Sequence, residues 1–501
     1  MLKILGSAKR LCDSLSRREM LRVGGLGMFS LGLADLLGLQ HLQAADKPAT
    51  PASFGRAKRI ILLYLYGAAS QHETFDPKPE APAEIRGIFK PIATSIPGFR
   101  ICEHLPQIAK IADRLTFIRS MTHPYNIHSA AYTLTGIDKV DIPMELNPYD
   151  SRHWPFFGSV LDYLAQRKPG GAPTPEMPRN LSLPFRFSSR CAEFKRGGPY
   201  GGFLGRAYDP VCTEFEGDAS STVLRWRGES DQPVADPYLG IEPESRLLLS
   251  NAANLGPDMT LDRLDRRRGL LAQLDDSRRQ FERSADTRSM DRFREMAYRL
   301  VSSEKIRGAL DLSKEPLSRR EGYGMNLFGQ ATLAGRRLLE AGATLVTVFW
   351  DEIQTANSAW DTHFSHFERL ETELLPGLDH ALAALVLDLE ERGMLDDTLV
   401  LCLTEHGRTP KLSQTIRGAG RDHWSNTYCG VLAGGGISRG KVIGASDKQG
   451  AYVKEDPISP KDVLATMYHV MGIDHRLTIP DRFNRPFPLV SEGEVVHHML
   501  G

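Results

Sequence analysis

Apolar positions along this chain fall into two kinds of run, and the contrast between them sets the fold. Residues 57–66 (Ala-Lys-Arg-Ile-Ile-Leu-Leu-Tyr-Leu-Tyr), 343–350 (Ala-Thr-Leu-Val-Thr-Val-Phe-Trp) and 397–404 (Asp-Thr-Leu-Val-Leu-Cys-Leu-Thr) are apolar without alternation, and Leu115-Thr-Phe-Ile-Arg119 reads as a further, shorter strand. Such runs predict strands covered on both faces, as in a parallel sheet. Between them, residues 105–114, 326–341, 370–392 and 462–471 read as helices, and Gly342, Gly393 and Gly472 are placed as stops for the last three. Residues 130–134 suggest a short helix closed by Gly136. Strands alternating with helices predict an α/β fold with a doubly wound, mainly parallel sheet flanked by helices.

Two stretches depart from that rhythm. Residues 140–255 are rich in Pro, Gly, Arg and aromatics, with little periodicity, and read as long loops that decorate the sheet and shape a substrate mouth. Residues 261–312 are strongly helical in pattern, with Leu264, Leu271, Leu274 and Phe281 recurring among Arg and Asp, as in a solvated amphipathic helix or hairpin. The expected organisation is one domain over 57–490, with a loop-rich and helical insertion at about 140–320 and a tail at 491–501. The length of 501 residues equally admits about three domains of ordinary size.

The amino-terminal segment reads as an address. Ser16-Arg17-Arg18-Glu19-Met20-Leu21 is a twin-arginine pattern ahead of a moderately hydrophobic Gly/Leu stretch, and Ala44-Ala45 offers a cleavage site. A transmembrane helix is the alternative, but the apolar core is short and contains Asp35. We therefore expect a signal over 1–45, a Pro/Ala linker over 46–56, and a periplasmic or extracellular location. No later segment is long and apolar enough to span a membrane. The formal net charge of zero argues against a nucleic-acid partner, which calls for a basic face. Six cysteines without a CxxC pair exclude a disulfide scaffold and a zinc-thiolate site, although Cys191 and Cys212 are able to pair in an oxidising compartment.

Chemistry concentrates where the predicted strands end. The first strand leads into Ser70-Gln71-His72-Glu73-Thr-Phe-Asp76, and the second into His123-Pro-Tyr-Asn126-Ile-His128-Ser129. The strand at 343–350 is followed by Trp360-Asp361-Thr362-His363-Phe-Ser-His366. The strand at 397–404 runs directly into Glu405-His406-Gly-Arg408, and Gly420-Arg421-Asp422-His423 follows. Open α/β sheets place their sites at the carboxyl ends of strands, and mixed carboxylate and imidazole sets suit divalent metals. Any one of these histidines alone is more simply a surface or core residue, but acid-and-histidine clusters at several strand ends can converge on one ion.

The motifs together resemble one bacterial family over nearly the whole chain after the signal. Gly67-x-x-Ser70-x-x-Glu73-Thr-Phe-Asp76, Arg119-Ser-Met, Leu134-Thr-Gly136, Arg336-Arg-Leu-Leu-Glu-Ala-Gly342, Trp360-Asp-Thr-His363, Thr404-Glu-x-Gly-Arg-Thr-Pro410, Gly420-Arg-Asp-His-Trp424 and Ala433-Gly-Gly-Gly436 are similar to the exported domain-of-unknown-function family 1501, in the alkaline phosphatase and sulfatase superfamily. The resemblance implies a one- or two-metal site at the carboxyl edge of a doubly wound sheet, and hydrolysis or transfer of sulfate or phosphate esters. By position, Glu405 and His406 resemble the superfamily's Asp-His ligand pair, Asp361 and His363 its acid-and-histidine pair one strand earlier, and His423 its later lone histidine. Glu73 or Asp76 stands where an acidic ligand is expected after the first strand.

The sequence also departs from the family. It has Gly-Ala-Ala-Ser where Gly-Gly-Pro-Ser is usual, Glu73 where Asp is usual, and His406 where Phe is common. The nucleophile has no single register. Counting back from Leu134-Thr-Gly136 reaches Asn126, whereas His128-Ser129-Ala-Ala resembles the alkaline phosphatase pattern and points to Ser129, which is equally suited to capping a helix.

The resemblance therefore implies a metal-dependent ester hydrolase, with a divalent metal (zinc, manganese or calcium) held by Glu73, Asp76, Asp361, His363, Glu405, His406 and His423. His128 or His123 would serve as general acid or as a further ligand, and Arg408 or Arg421 would bind the ester anion, a surface ion pair being the alternative for either. The substrate would be a small-molecule or polysaccharide ester, and the oligomeric state stays open. Two other readings remain: a catalytically degenerate relative that binds an envelope glycan or protein, and hydrolysis by metal-bound water without any serine.

Overall fold

The computed structural model describes residues 52–167, 176–227, 230–249 and 303–501. The signal, most of the linker, and the helical pattern over 261–302 lie outside the described residues. Its centre is a nine-stranded sheet. The strands are β1 (Arg59–Leu65), β2 (Thr116–Met121), β3 (Asn180–Leu183), β4 (Val211–Glu216), β5 (Arg246–Leu249), β6 (Leu345–Trp350), β7 (Thr398–Leu403), β8 (Tyr428–Ala433) and β9 (Lys441–Ile443). They lie in the order β9-β2-β8-β7-β1-β6-β3-β4-β5. β1 pairs in parallel with both β6 and β7, while β8 and β5 run antiparallel to their neighbours, so the sheet is mainly parallel.

The unalternated apolar runs have the expected cause. Along β1, Ile61, Leu63 and Leu65 enter one core and Ile60, Leu62 and Tyr64 enter the other, so each face of the sheet carries its own packed layer. The helices covering these layers include α1 (Ala130–Thr135), α2 (Phe157–Gln166), α3 (Leu327–Glu340), α4 (Leu375–Glu391) and α5 (Pro460–Val470). α3 starts where Asn326 accepts a hydrogen bond from Gly329 N, and α5 starts with a capping box between Ser459 and Asp462. Among the described residues no helix is long and apolar enough to cross a membrane.

The reading of 140–255 as loops is corrected. That stretch supplies α2 and three strands of the sheet, β3, β4 and β5. β3 is only Asn-Leu-Ser-Leu, all buried, and a four-residue strand ended by Pro184 is too short to show a period. Cys191 and Cys212 are both free thiols.

Register brings the chemistry to one edge. Leu65 pairs with Trp350 and Tyr64 with Leu403, so β1, β6 and β7 end at the same level. Gly67 (φ +105°) then turns the chain against the β6 loop, where an added Cβ would lie 2.4 Å from Asp361 N. Only glycine fits that approach.

One buried imidazole near this edge gives the fold a pH dependence. His72 Nε2 donates to Gln449 O at 2.8 Å, and burial lowers its pKa to about 4. The unfolded chain therefore takes up a proton near pH 6.5 that the folded one refuses. Stability is full above pH 6.5 and falls by roughly 3 kcal/mol from this group as pH drops to 4. Thermal melts from pH 7.5 to 4 should show this slope flattened in His72→Gln; an equal slope in both would remove the assignment.

Candidate metal centre

Three strand ends converge. The loop after β2 carries His128, the loop after β6 carries Asp361 and His363, and β7 ends directly in Thr404, Glu405 and His406. His423 returns to the same place through a two-residue antiparallel ribbon in which Gly407 pairs with Trp424 and Arg408 with His423. Gly420 makes that return possible, because a Cβ there would meet His363 O at 1.7 Å.

Ligand-type atoms of His128, Asp361, His363 and His423 lie within 4.8 Å of one another, and so do those of His128, Glu405 and His406. His363 Nε2 is 3.0 Å from Asp361 Oδ1 and 3.1 Å from His423 Nε2. His128 lies between the two groups, its Nε2 3.1 Å from Asp361 Oδ2 and its Nδ1 2.8 Å from Glu405 Oε1. The ring centroids of His406 and His423 are 4.7 Å apart.

Hydrogen bonds at the outer nitrogens fix the tautomers. His363 Nδ1 donates to Asp422 Oδ1 at 2.7 Å, and His406 Nδ1 donates to Gly407 O at 2.8 Å. A ring held through its outer nitrogen turns Nε2 inward, which is how ligating histidines are oriented. The inward Nε2 of His406 is buried and has no hydrogen-bond partner among the described residues. Burial, then the charges of His128, His423 and Arg408, hold the His406 pKa well below its usual value. His423 is lowered chiefly by burial. Burial opposes charge on His128 too, but Asp361 and Glu405 overcome it and raise its pKa to about 10. The His406 and His423 imidazoles, kept neutral by burial beside the Asp361 and Glu405 carboxyl groups, are the donor chemistry of a divalent metal site, so the residues present fit such an ion.

The other expected site residues lie apart from this cluster. Glu73 is buried with Arg421 (2.6 Å), His366 Nε2 (3.0 Å) and Ser70 Oγ (2.5 Å). Asp76 binds Lys78 at 2.9 Å, Arg119 at 3.3 Å, and Ser446. Ser129 caps α1, its Oγ accepting from Tyr132 N at 3.1 Å. His123 accepts from Tyr125 N and donates from Nε2 to Glu405 O at 2.7 Å, which pins the backbone of Glu405.

Neither arginine is a surface group. Arg408 is fully buried and donates to Ala68 O and Arg421 O at 3.1 Å each, to Gly67 O, and to the Asp361 carboxylate. Arg421 donates to Glu73, Ile85 O, Thr409 O and Pro410 O. Their donors hold loops and carboxylates in place. Sequence reasoning missed Asp422 as the group that orients His363; its only signal was adjacency to His423.

A family model described as "Protein of unknown function (DUF1501)" matches residues 57–500. No functionally curated protein matches the chain. Among solved structures, a sulfatase from Pseudoalteromonas sp. is similar at 12% identity, over 93% of this chain and 75% of that one, with a TM-score of 0.37. A lipoteichoic acid synthase from Listeria monocytogenes is similar at 10% identity, over 89% and 78% of the two chains, with a TM-score of 0.33.

Proposed function

The chain belongs to the DUF1501 family, and from that premise we propose that it is an exported metal-dependent hydrolase of sulfate or phosphate esters, with polysaccharide esters as the natural substrate class. The observation that carries the reading is the convergence of His128, Asp361, His363, Glu405, His406 and His423 at the carboxyl edge of the sheet. Export rests on Arg17-Arg18 and the stretch that follows them.

Asp361, His363 and His423 would hold one ion, and His128, Glu405 and His406 border it. An imidazole-rich set favours zinc or manganese over calcium, which takes oxygen ligands. A bound ion would polarise the ester oxygens and favour attack at neutral pH. Asp422 keeps the His363 ring oriented, Arg408 keeps Asp361 ionised and in place, and His128 is placed to carry a proton beside the ester oxygen.

Ser129 is not required as a nucleophile, because its hydroxyl caps α1; water is the attacking group in this reading. The test is turnover of a panel of sulfate and phosphate esters by metal-loaded protein, abolished by chelation and restored by metal. Ser129→Ala should lose about 1 kcal/mol of stability and keep its rate within a factor of about three. A rate loss of about a thousandfold (~4 kcal/mol) would make Ser129 the nucleophile. The cap also favours a second reading, a degenerate site that binds a glycan without hydrolysing it. Binding of glycan without turnover of any ester would support that reading instead.

A further inference from the structure

Beside the imidazole cluster, three buried side chains carry polar atoms with no hydrogen-bond partner among the described residues: the Tyr66 hydroxyl, Glu352 Oε2 and Arg196 Nε. Tyr66 and Glu352 are at most 1% exposed and Arg196 is 8% exposed. Two of them are strand-end residues. Tyr66 directly follows β1, and its ring centroid is 5.6 Å from that of His128. Glu352 stands two residues beyond β6, and its Oε1 accepts from Asn357 N at 2.7 Å, which leaves Oε2 unused. Arg196 comes from the loop that packs on the start of α1, where a Cβ on Gly198 would lie 3.9 Å from Ala130 Cβ. Its Nη1 pairs with Glu145 Oε1 at 2.6 Å. Tyr66 N donates to Trp350 O at 3.2 Å and its ring centroid is 5.1 Å from that of Phe187, while Ser188 N donates to the Asp351 carboxylate at 2.6 Å and Arg196 N to Ser188 Oγ at 3.1 Å, so the three residues stand on adjoining segments beside the metal centre.

An unpaired buried polar group is costly, and three together at the reactive edge call for a ligand. The Cys191 thiol beside Glu352 is at best a weak donor. The set offers a guanidinium N–H donor, a carboxylate acceptor and a hydroxyl that does both. Adjacent hydroxyls of a sugar ring, each able to donate and accept, answer all three. Arg196 Nη1 is already engaged by Glu145, and the unused Glu352 Oε2 is a carboxyl oxygen that accepts, so a hydroxyl able to donate to it suits the set better than a second anionic group. Arg408 and Arg421 have their donors engaged elsewhere, which leaves this cluster to recognise the rest of the substrate.

We propose that Tyr66, Arg196 and Glu352 form a subsite for the neutral, hydroxyl-bearing sugar portion of an ester whose anionic head lies at the metal centre. The inference deepens the hydrolase reading and rests on it for the position of the ester head. The test is calorimetric binding to the metal-loaded full chain, comparing hexose monosulfates and monophosphates with ethyl sulfate and ethyl phosphate. Wild-type protein should bind at least one hexose ester about tenfold or more tighter than the ethyl ester of the same head group. Glu352→Gln and Tyr66→Phe, which keep shape, should bring that preference close to unity, as should Arg196→Met.

No preference in the wild type overturns the subsite, and so does an unchanged preference in both shape-conserving variants. Ordered water filling the same atoms would give that second result. Turnover of the same esters is read separately. Lost hydrolysis with the preference intact removes the hydrolase reading and keeps the subsite, and hydrolysis without any preference does the reverse.

Discussion

His423→Ala is expected to strip the bound metal and to lower ester turnover by about a thousandfold or more, with the fold intact. A thousandfold corresponds to roughly 4 kcal/mol of transition-state stabilisation, a magnitude suited to losing a ligand of the ion that polarises the ester. The fold should survive because His423 sits on a two-residue ribbon at the sheet edge and is only half-buried. Its Nε2 faces His363 Nε2 and Asp361, and Asp361 keeps Arg408, His128 and His363 when His423 is gone. Metal content, turnover and circular dichroism on one preparation check all three parts. A variant that keeps its metal and its rate would place the centre elsewhere.

Arg421→Met is expected to act through stability, lowering it by about 3–5 kcal/mol. The guanidinium is fully buried, and its partner Glu73 is 1% exposed. Burial works against the Glu73 charge, but Arg421 and then His366 hold the carboxyl ionised well below the usual carboxylate range. Removing one partner of a buried ion pair strands the other charge, which costs several kcal/mol. The carbonyls of Ile85, Thr409 and Pro410 lose their donor as well. Denaturant unfolding should show the loss. If stability were unchanged and only the affinity for the ester anion fell, Arg421 would be a substrate-facing group, as the sequence alone suggested.

That contrast shows what the sequence could and could not carry. β1, β6 and β7 were legible because burial on both faces leaves a long apolar run, and the acids and histidines after them inherited their place from the end of each run. The helix stops at Gly342, Gly393 and Gly472 were legible because each has a positive φ that glycine adopts without strain. β3, with four residues, left no period to read.

The roles of charged residues were the hardest to foresee. Glu73 and Glu405 both follow a strand, yet one meets Arg421 and the other His128, and that difference is set by how far each loop travels before it turns. Arg408 and Arg421 carry the same side chain whether they face an ester or satisfy backbone carbonyls, and only the course of the surrounding loops decides. Nothing in the sequence marks Glu352 and Tyr66; what distinguishes them is a buried polar atom on each without a hydrogen-bond partner among the described residues, which composition does not encode.

Elemental analysis of the protein purified from its native host, without chelators or a metal-binding tag, decides whether the strand-end cluster holds an ion. One or two equivalents of a divalent metal, lost in His423→Ala, are the expected result. A stably folded protein with no metal, and with none taken up on dialysis against zinc or manganese, would contradict it.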